Sequence, residues 1–262
     1  MADPIRGAYM IDPSRFERVA RIDSTNTELM RRPFGTRPAA ACALAADVQQ
    51  AGRGRNGRDW LGDAGRSLAV SVALEREADG ASLIGLPLAI GVAVADVLAR
   101  HGAPARLKWP NDLQVDAPGG PAKVGGILVE ARHQGVLQRV VAGVGLNLAP
   151  SSALSAERVG QPAGALFADG AVPPREALER ALAGALADVL EAFPRDGLRP
   201  WLARWRALDA LHGAPVDLVR GDGTREPGIA RGVDDDGALR VERPDGTIER
   251  VVAGEVSVRR RG

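Results

Sequence analysis

The chain has 262 residues, 45% of them hydrophobic and 26% charged, with a net charge of +1. That balance belongs to folded domains rather than a disordered chain, and it excludes the overall basic character of a general nucleic-acid or membrane-surface binder. A single cysteine, Cys42, rules out an intrachain disulfide, which is compatible with a reducing compartment.

The segment Met1-Ala-Asp-Pro-Ile-Arg6 lacks the apolar core of a secretory leader. No stretch reaches the roughly 20 apolar residues that span a bilayer. The expectation is a soluble cytoplasmic protein without a membrane partner. Of the 34 basic residues only Lys108 and Lys123 are lysine. A general bias towards arginine accounts for most of that imbalance. The surviving lysines stand out because a compact ammonium is not interchangeable with a planar guanidinium.

In chain order, residues 16–22 alternate as a strand. Asp23-Ser24-Thr25-Asn26 then supplies helix-start chemistry, with Glu28 in the first turn and a short helix to about Arg32. Residues 42–48 form an apolar strand. The Gly- and Arg-rich stretch 49–60 reads as a loop, and 67–74 as another strand. Residues 83–100 predict a buried helix closed by Gly102. Strands follow at 105–109, 124–132 and 137–146, the last two joined by a hairpin at Gly135. A mobile loop is expected at 150–164. Helices are expected at 175–193 and 198–208, the second carrying Trp201 and Trp205 on one face. From Gly213 onward, short strand-like runs at 216–219, 228–233, 238–242, 247–252 and 257–259 alternate with Gly-Asp turns, which predicts a small barrel. The expected division is therefore 1–212 and 213–262.

Four segments carry candidate chemistry. Gly52-Arg-Gly-Arg-Asn-Gly57-Arg58 contains a G-x-G-x-x-G string, but no helix start follows it, so a dinucleotide-binding turn is rejected; a P-loop string is absent altogether. The loop reads either as an anion-binding element or as a solvated basic turn. Lys108-Trp-Pro-Asn-Asp112 sits at a strand end, where Asn111 and Asp112 suit a nucleobase or a cation; the alternative is an ordinary Asn-Asp turn. In Lys123-Val-Gly-Gly-Ile-Leu-Val-Glu130 and Gly143-Val-Gly-Leu-Asn147 the strand glycines point to close approach of a ligand or of another backbone.

Taken together and in this order, with Gln49-Gln-Ala-Gly-Arg-Gly-Arg-x-Gly-Arg-x-Trp60, these blocks resemble the signature segments of biotin–protein ligases (biotin–[acetyl-CoA-carboxylase] ligases). The resemblance runs from Ile22 to the C-terminus. It implies an α+β fold like that of class II aminoacyl-tRNA synthetases and biotin synthetases, with a mixed, largely antiparallel sheet, flanking helices and an SH3-like C-terminal barrel. It implies ATP-dependent biotinylation of a carrier-domain lysine through biotinyl-5'-AMP, with ATP and Mg²⁺ required and the biotin carboxyl carrier domain of a carboxylase as partner. By resemblance, Ser24, Thr25, Asn26 and Gln49 bind the biotin head group. Arg53, Gly54 and Arg55 fold over its carboxylate and the phosphate, and Arg58 helps order that loop near the nucleotide. Lys123 and Arg55 serve the reacting centre. Lys108, Asn111 and Asn147 face the nucleotide, with Asp112 near the metal.

Two departures bear on these expectations. The residues before Asp23 are too few for the DNA-binding domain of some relatives, so a monofunctional enzyme is expected, without DNA and with room for a homodimer. The loop that follows Asn147 contains no tryptophan, a residue that some relatives set there against adenine. Two alternatives remain: a lipoate or octanoate ligase or transferase of the same fold, and a nucleic-acid-binding module using the arginine loop. The first would need Cys42 as nucleophile for octanoyl transfer, although Cys42 sits in an apolar strand. The second lacks interleaved aromatics.

Overall fold

The structure is a computed structural model describing residues 11–35, 39–78, 80, 82–151, 162–254 and 256–261. In chain order come β1 (Phe16–Ile22), α1 (Thr25–Arg31), β2 (Cys42–Gln49), β3 (Ser67–Glu77), α2 (Leu86–Arg100), β4 (Arg106–Lys108), β5 (Asp112–Ala117), β6 (Gly120–Gln134), β7 (Leu137–Asn147), α3 (Arg175–Asp196) and α4 (Arg199–Leu208). Their seven strands form one sheet in the order β1-β2-β3-β7-β6-β5-β4. Only β1 and β2 pair in parallel, so the sheet is mixed and largely antiparallel.

Successive side chains of a strand point to opposite faces. On one face Ala43, Ala45, Val70, Val72, Ala142 and Val144 join the main core with α2, α3 and α4. On the other, Leu44, Ala73 and Val141 pack under Leu29 of α1. Both faces of the middle strands are thus covered, which is why β7 is buried along almost its whole length. Trp201 and Trp205 are both buried on α4, and Phe193 meets Trp201 at 6.1 Å between ring centroids.

The element boundaries differ from expectation in ways that have local causes. Helix α2 begins at Leu86, not 83, because Gly85 adopts a left-handed conformation (φ +83°) and Pro87 sets the first helical turn. Strand β5 was not foreseen. Its six residues sit between the Pro110 turn and Gly119-Gly120, and pairing with β4 and β6 makes them a strand. Helix α3 continues past Pro194 to Asp196, ending at Gly197. Residues 152–161 of the expected loop lie outside the described residues.

Beyond α4, strands β8 (Pro215–Val219), β9 (Arg225–Val233), β10 (Leu239–Glu242), β11 (Ile248–Val251) and β12 (Ser257–Arg260) form a second, antiparallel sheet in the order β11-β10-β9-β8-β12. The expected barrel is a sheet here: β11 and β12 are its edges, and no pairing between them closes it among the described residues. The second sheet is joined to the first beside β4. Ala210 N donates to Leu107 O (2.8 Å), Arg106 Nη2 to Asp209 O (2.7 Å), and the buried Trp109 Nε1 to Gly237 O (2.9 Å).

Candidate functional site

The α1 face of the sheet carries a floor of small residues. Register aligns Ala69 of β3 with Gly145 of β7, Gly145 with Gly126 of β6, and Gly126 with Asp112 of β5. The next row is Ser71, Gly143 and Leu128. A Cβ at Gly143 would lie 2.1 Å from Asn26 Oδ1, and one at Gly145 would lie 2.4 Å from the Trp60 ring. These glycines are therefore required by close approach. Over this floor opens a cavity of about 450 Å³, the size of a small-molecule site.

At one end, α1 starts with its polar residues turned inward. Ser24 caps the helix, its Oγ accepting from Thr27 N (3.4 Å). Thr25 donates from N and Oγ1 to Gln49 Oε1 (2.8 and 3.0 Å), and Thr25 Oγ1 lies 2.7 Å from Ser71 Oγ. Ser71 Oγ donates to Asn26 Oδ1 (2.6 Å), and Asn26 Nδ2 donates to Glu130 Oε2 (3.0 Å). Ser24, Thr25 and Asn26 are buried. Buried polar groups persist when each is hydrogen-bonded, and this network holds donors and acceptors in fixed orientation beside the cavity.

The 49–60 segment crosses the cavity mouth as a folded lid. Gly54 N donates to Arg58 O (2.7 Å) and Trp60 N to Gly52 O (2.8 Å), while a Cβ at Gly52 would lie 2.5 Å from Trp60 O. Asn56 turns the tip in the left-handed region (φ +56°), where asparagine is tolerated better than most residues. Each lid arginine finds a different partner. Arg53 Nη2 pairs with Glu130 Oε1 (3.1 Å), Arg55 Nη1 donates to Asn111 Oδ1 (3.1 Å), and Arg58 Nη2 reaches Ser257 Oγ of β12 at 3.5 Å. Trp60 returns beneath the lid onto Gly145 and Gly126.

The other end is cationic. Lys123 Nζ sits 2.6 Å from Asp112 Oδ1 and 5.9 Å from the centre of the Trp60 ring. Burial pulls the Lys108 ammonium below its ordinary pKa; Asp112 opposes the shift, whereas Arg259, Lys123 and Arg58 add to it. Burial likewise lowers Arg55. Poorly solvated like charges held together favour an incoming polyanion. Asn147 Nδ2 donates to Gly164 O (3.1 Å), which leaves its buried Oδ1 without a partner among the described residues, available to a ligand donor.

All residues singled out from the sequence line this one cavity: Ser24, Thr25, Asn26, Gln49, Arg53, Gly54, Arg55, Arg58, Lys108, Asn111, Asp112, Lys123 and Asn147. Sequence reasoning assigned no role to Trp60, Ser71, Glu130 or the β12 pair Ser257 and Arg259. Trp60 had a signal, an isolated aromatic after the arginine loop. Ser71 and β12 had none, because only sheet register and domain packing bring them here.

Among known families, residues 19–147 match the biotin/lipoate A/B protein ligase family, and residues 211–259 match the biotin protein ligase C-terminal domain. The bifunctional ligase/repressor BirA of Escherichia coli is 40% identical over 91% of this chain and 72% of its own length. The biotin–[acetyl-CoA-carboxylase] ligase of Paracoccus denitrificans is 36% identical over 87% and 94%. A biotin protein ligase from Aquifex aeolicus, solved with biotin and ATP, shares the fold with a TM-score of 0.76 at 24% identity, covering 94% of this chain and 99% of its own.

Proposed function

Because the chain belongs to the biotin protein ligase family, we propose that it activates biotin with ATP and transfers it to a lysine of a carboxylase carrier domain. The observation that carries this is one cavity with two unlike ends under a single lid: an oriented hydroxyl–amide network at α1 and a cation cluster at β5–β6. A ureido ring offers both donors and acceptors to the first end. A triphosphate and a carboxylate suit the second.

In the first step a biotin carboxylate oxygen attacks the α-phosphorus of ATP, the bond to the bridging oxygen breaks, and pyrophosphate leaves. Two anions must meet, so fixed cations lower the barrier. We assign Lys123 and Arg55 to the reacting centre and Lys108 and Arg259 to the phosphates. Asn147 and Asn111 go to the nucleotide side, where Asn111 also positions Arg55. In the second step the carrier amine attacks the acyl carbon, an amide forms and AMP leaves. Until then the lid shields the mixed anhydride from water. No group of three metal-binding side chains occurs among the described residues, and Asp112 is the acid beside Lys123. The donors thus fit Mg²⁺ carried largely by ATP's own phosphates, with Asp112 alongside; it would supply further charge neutralisation there.

We read 213–262 as an SH3-like domain, supported by the C-terminal family match, and 1–212 as the catalytic part. No helix among the described residues is long and apolar enough to cross a membrane; the use of ATP and a carrier protein supports a cytoplasmic setting. ATP–pyrophosphate exchange measured with biotin, lipoate and octanoate side by side tests the assignment. Exchange is expected with biotin; equal rates with lipoate would overturn it.

A further inference from the structure

Glu130 is the last residue of the Lys123–Glu130 segment, and strand alternation places it on the cavity face with Gly126 and Leu128. It lines the back of the α1 network rather than the cavity itself. Its two oxygens are divided: Oε2 accepts from Asn26 Nδ2 at 3.0 Å, and Oε1 pairs with Arg53 Nη2 at 3.1 Å. The Arg53 side chain therefore turns towards the α1 end, where Thr27 Oγ1 also accepts from it at 3.5 Å.

The same chain of contacts has a second connection to the lid. From Asn26 it passes through Ser71 to Thr25 and then to Gln49, where the lid begins. With Nδ2 committed to Glu130, Asn26 must turn Oδ1 towards Ser71, so the carboxylate also sets the orientation of the amide. The start of the lid at Gln49 and its Arg53 are thereby tied to one polar network.

We propose that Glu130 is a positioning residue that fastens the lid: one carboxylate both orients Asn26 for the biotin head group and holds Arg53, so that closure and head-group recognition are coupled. The biotin part of this rests on the function proposed above. The Arg53 side chain is 52% exposed and that of Glu130 21%, and such a pair is weak in water. The fastening therefore opens readily for entry and strengthens when a bound ligand excludes solvent.

The test uses the full chain as wild type, Glu130→Gln, Arg53→Met and the double variant. Gln at 130 can still accept from Asn26, so it breaks the Arg53 arm selectively without removing the buried partner. Three quantities are read: amide exchange of residues 52–60 without ligand, stopped-flow release of biotin and of biotinyl-5'-AMP, and the ATP KM. The expected result is faster lid exchange in each single variant and release accelerated about three- to fivefold. The double variant should be no faster than either single one, as non-additivity of a contacting pair requires, and in Glu130→Gln the ATP KM should stay within about twofold. Multiplying effects, or release and lid exchange equal to wild type in Glu130→Gln, would overturn the proposal. Faster lid exchange in Glu130→Gln, combined with no biotin binding by the wild type, would support the fastening and sink the ligase assignment instead.

Discussion

Lys123 is held on several sides. Its backbone N donates to Pro162 O (2.9 Å), and its ammonium meets Asp112 and stands 5.9 Å from the centre of the Trp60 ring. The side chain is 17% exposed, so little space is left for a longer, planar head. Arginine cannot place one compact charge where the carboxylate and α-phosphate meet. Lys123→Arg is expected to lower single-turnover adenylation on the order of a hundredfold or more, at saturating biotin and MgATP. Its stability cost should be about 1 kcal/mol, within the range of single substitutions. A rate within about threefold of wild type would reduce Lys123 to a structural lysine.

Among the elements, α3 carries a group that opposes its own folded environment. Asp188 Oδ1 is buried without a hydrogen-bond partner among the described residues. Burial, with help from Glu191, pushes its carboxyl up from an ordinary 3.8 to about 7. Between those two values the folded chain keeps a proton that the unfolded chain has lost. Stability from this group is thus greatest below 3.8 and is lost as pH rises through about 7. Asp188→Asn removes the charge and keeps the shape. Thermal unfolding should show a Tm gain that is clear at pH 8 and shrinks at pH 5; an equal gain at both would contradict the assignment. The lid makes a different point about elements. Its composition predicts a flexible loop, yet backbone bonds between Gly54 and Arg58 and between Gly52 and Trp60 give it a defined shape. Those bonds make it one folded unit between Gln49 and Trp60 rather than an irregular chain.

At the scale of the molecule, the two sheets meet where the nucleotide end of the cavity is built. Trp109 sits between Lys108 and the Pro110–Asp112 turn, and its indole donates to Gly237 O in a turn of the second sheet. From the same sheet, Ser257 and Arg259 line the cavity. Trp109→Phe keeps most of the packing but leaves the Gly237 carbonyl unpaired, a cost of about 1–3 kcal/mol. Tm should fall accordingly, and the KM for ATP should rise more than the KM for biotin, whose head-group end is bounded by α1. Equal changes in both would mean that Trp109 supports the fold without setting the nucleotide end.

Short-range order was legible in the amino-acid sequence because its causes are local. Strand β2 follows from its apolar run, and the start of α1 from the Ser24 cap. The turns at Gly223, Gly237 and Gly246 follow from residues that accept positive φ. The polar and glycine-rich segments marked the cavity because close approach and anion binding restrict which residue types serve. What the sequence did not reveal depended on partners distant along the chain. Strand β5 is a strand because β4 and β6 flank it. Ser71 reaches Asn26 only because β3 pairs with β7 in one register. Arg53 turns to Glu130, and Arg259 enters from the second sheet, because tertiary packing decides which of many equivalent arginines meets which carboxylate or cavity; charge alone, being non-directional over these distances, leaves that choice open.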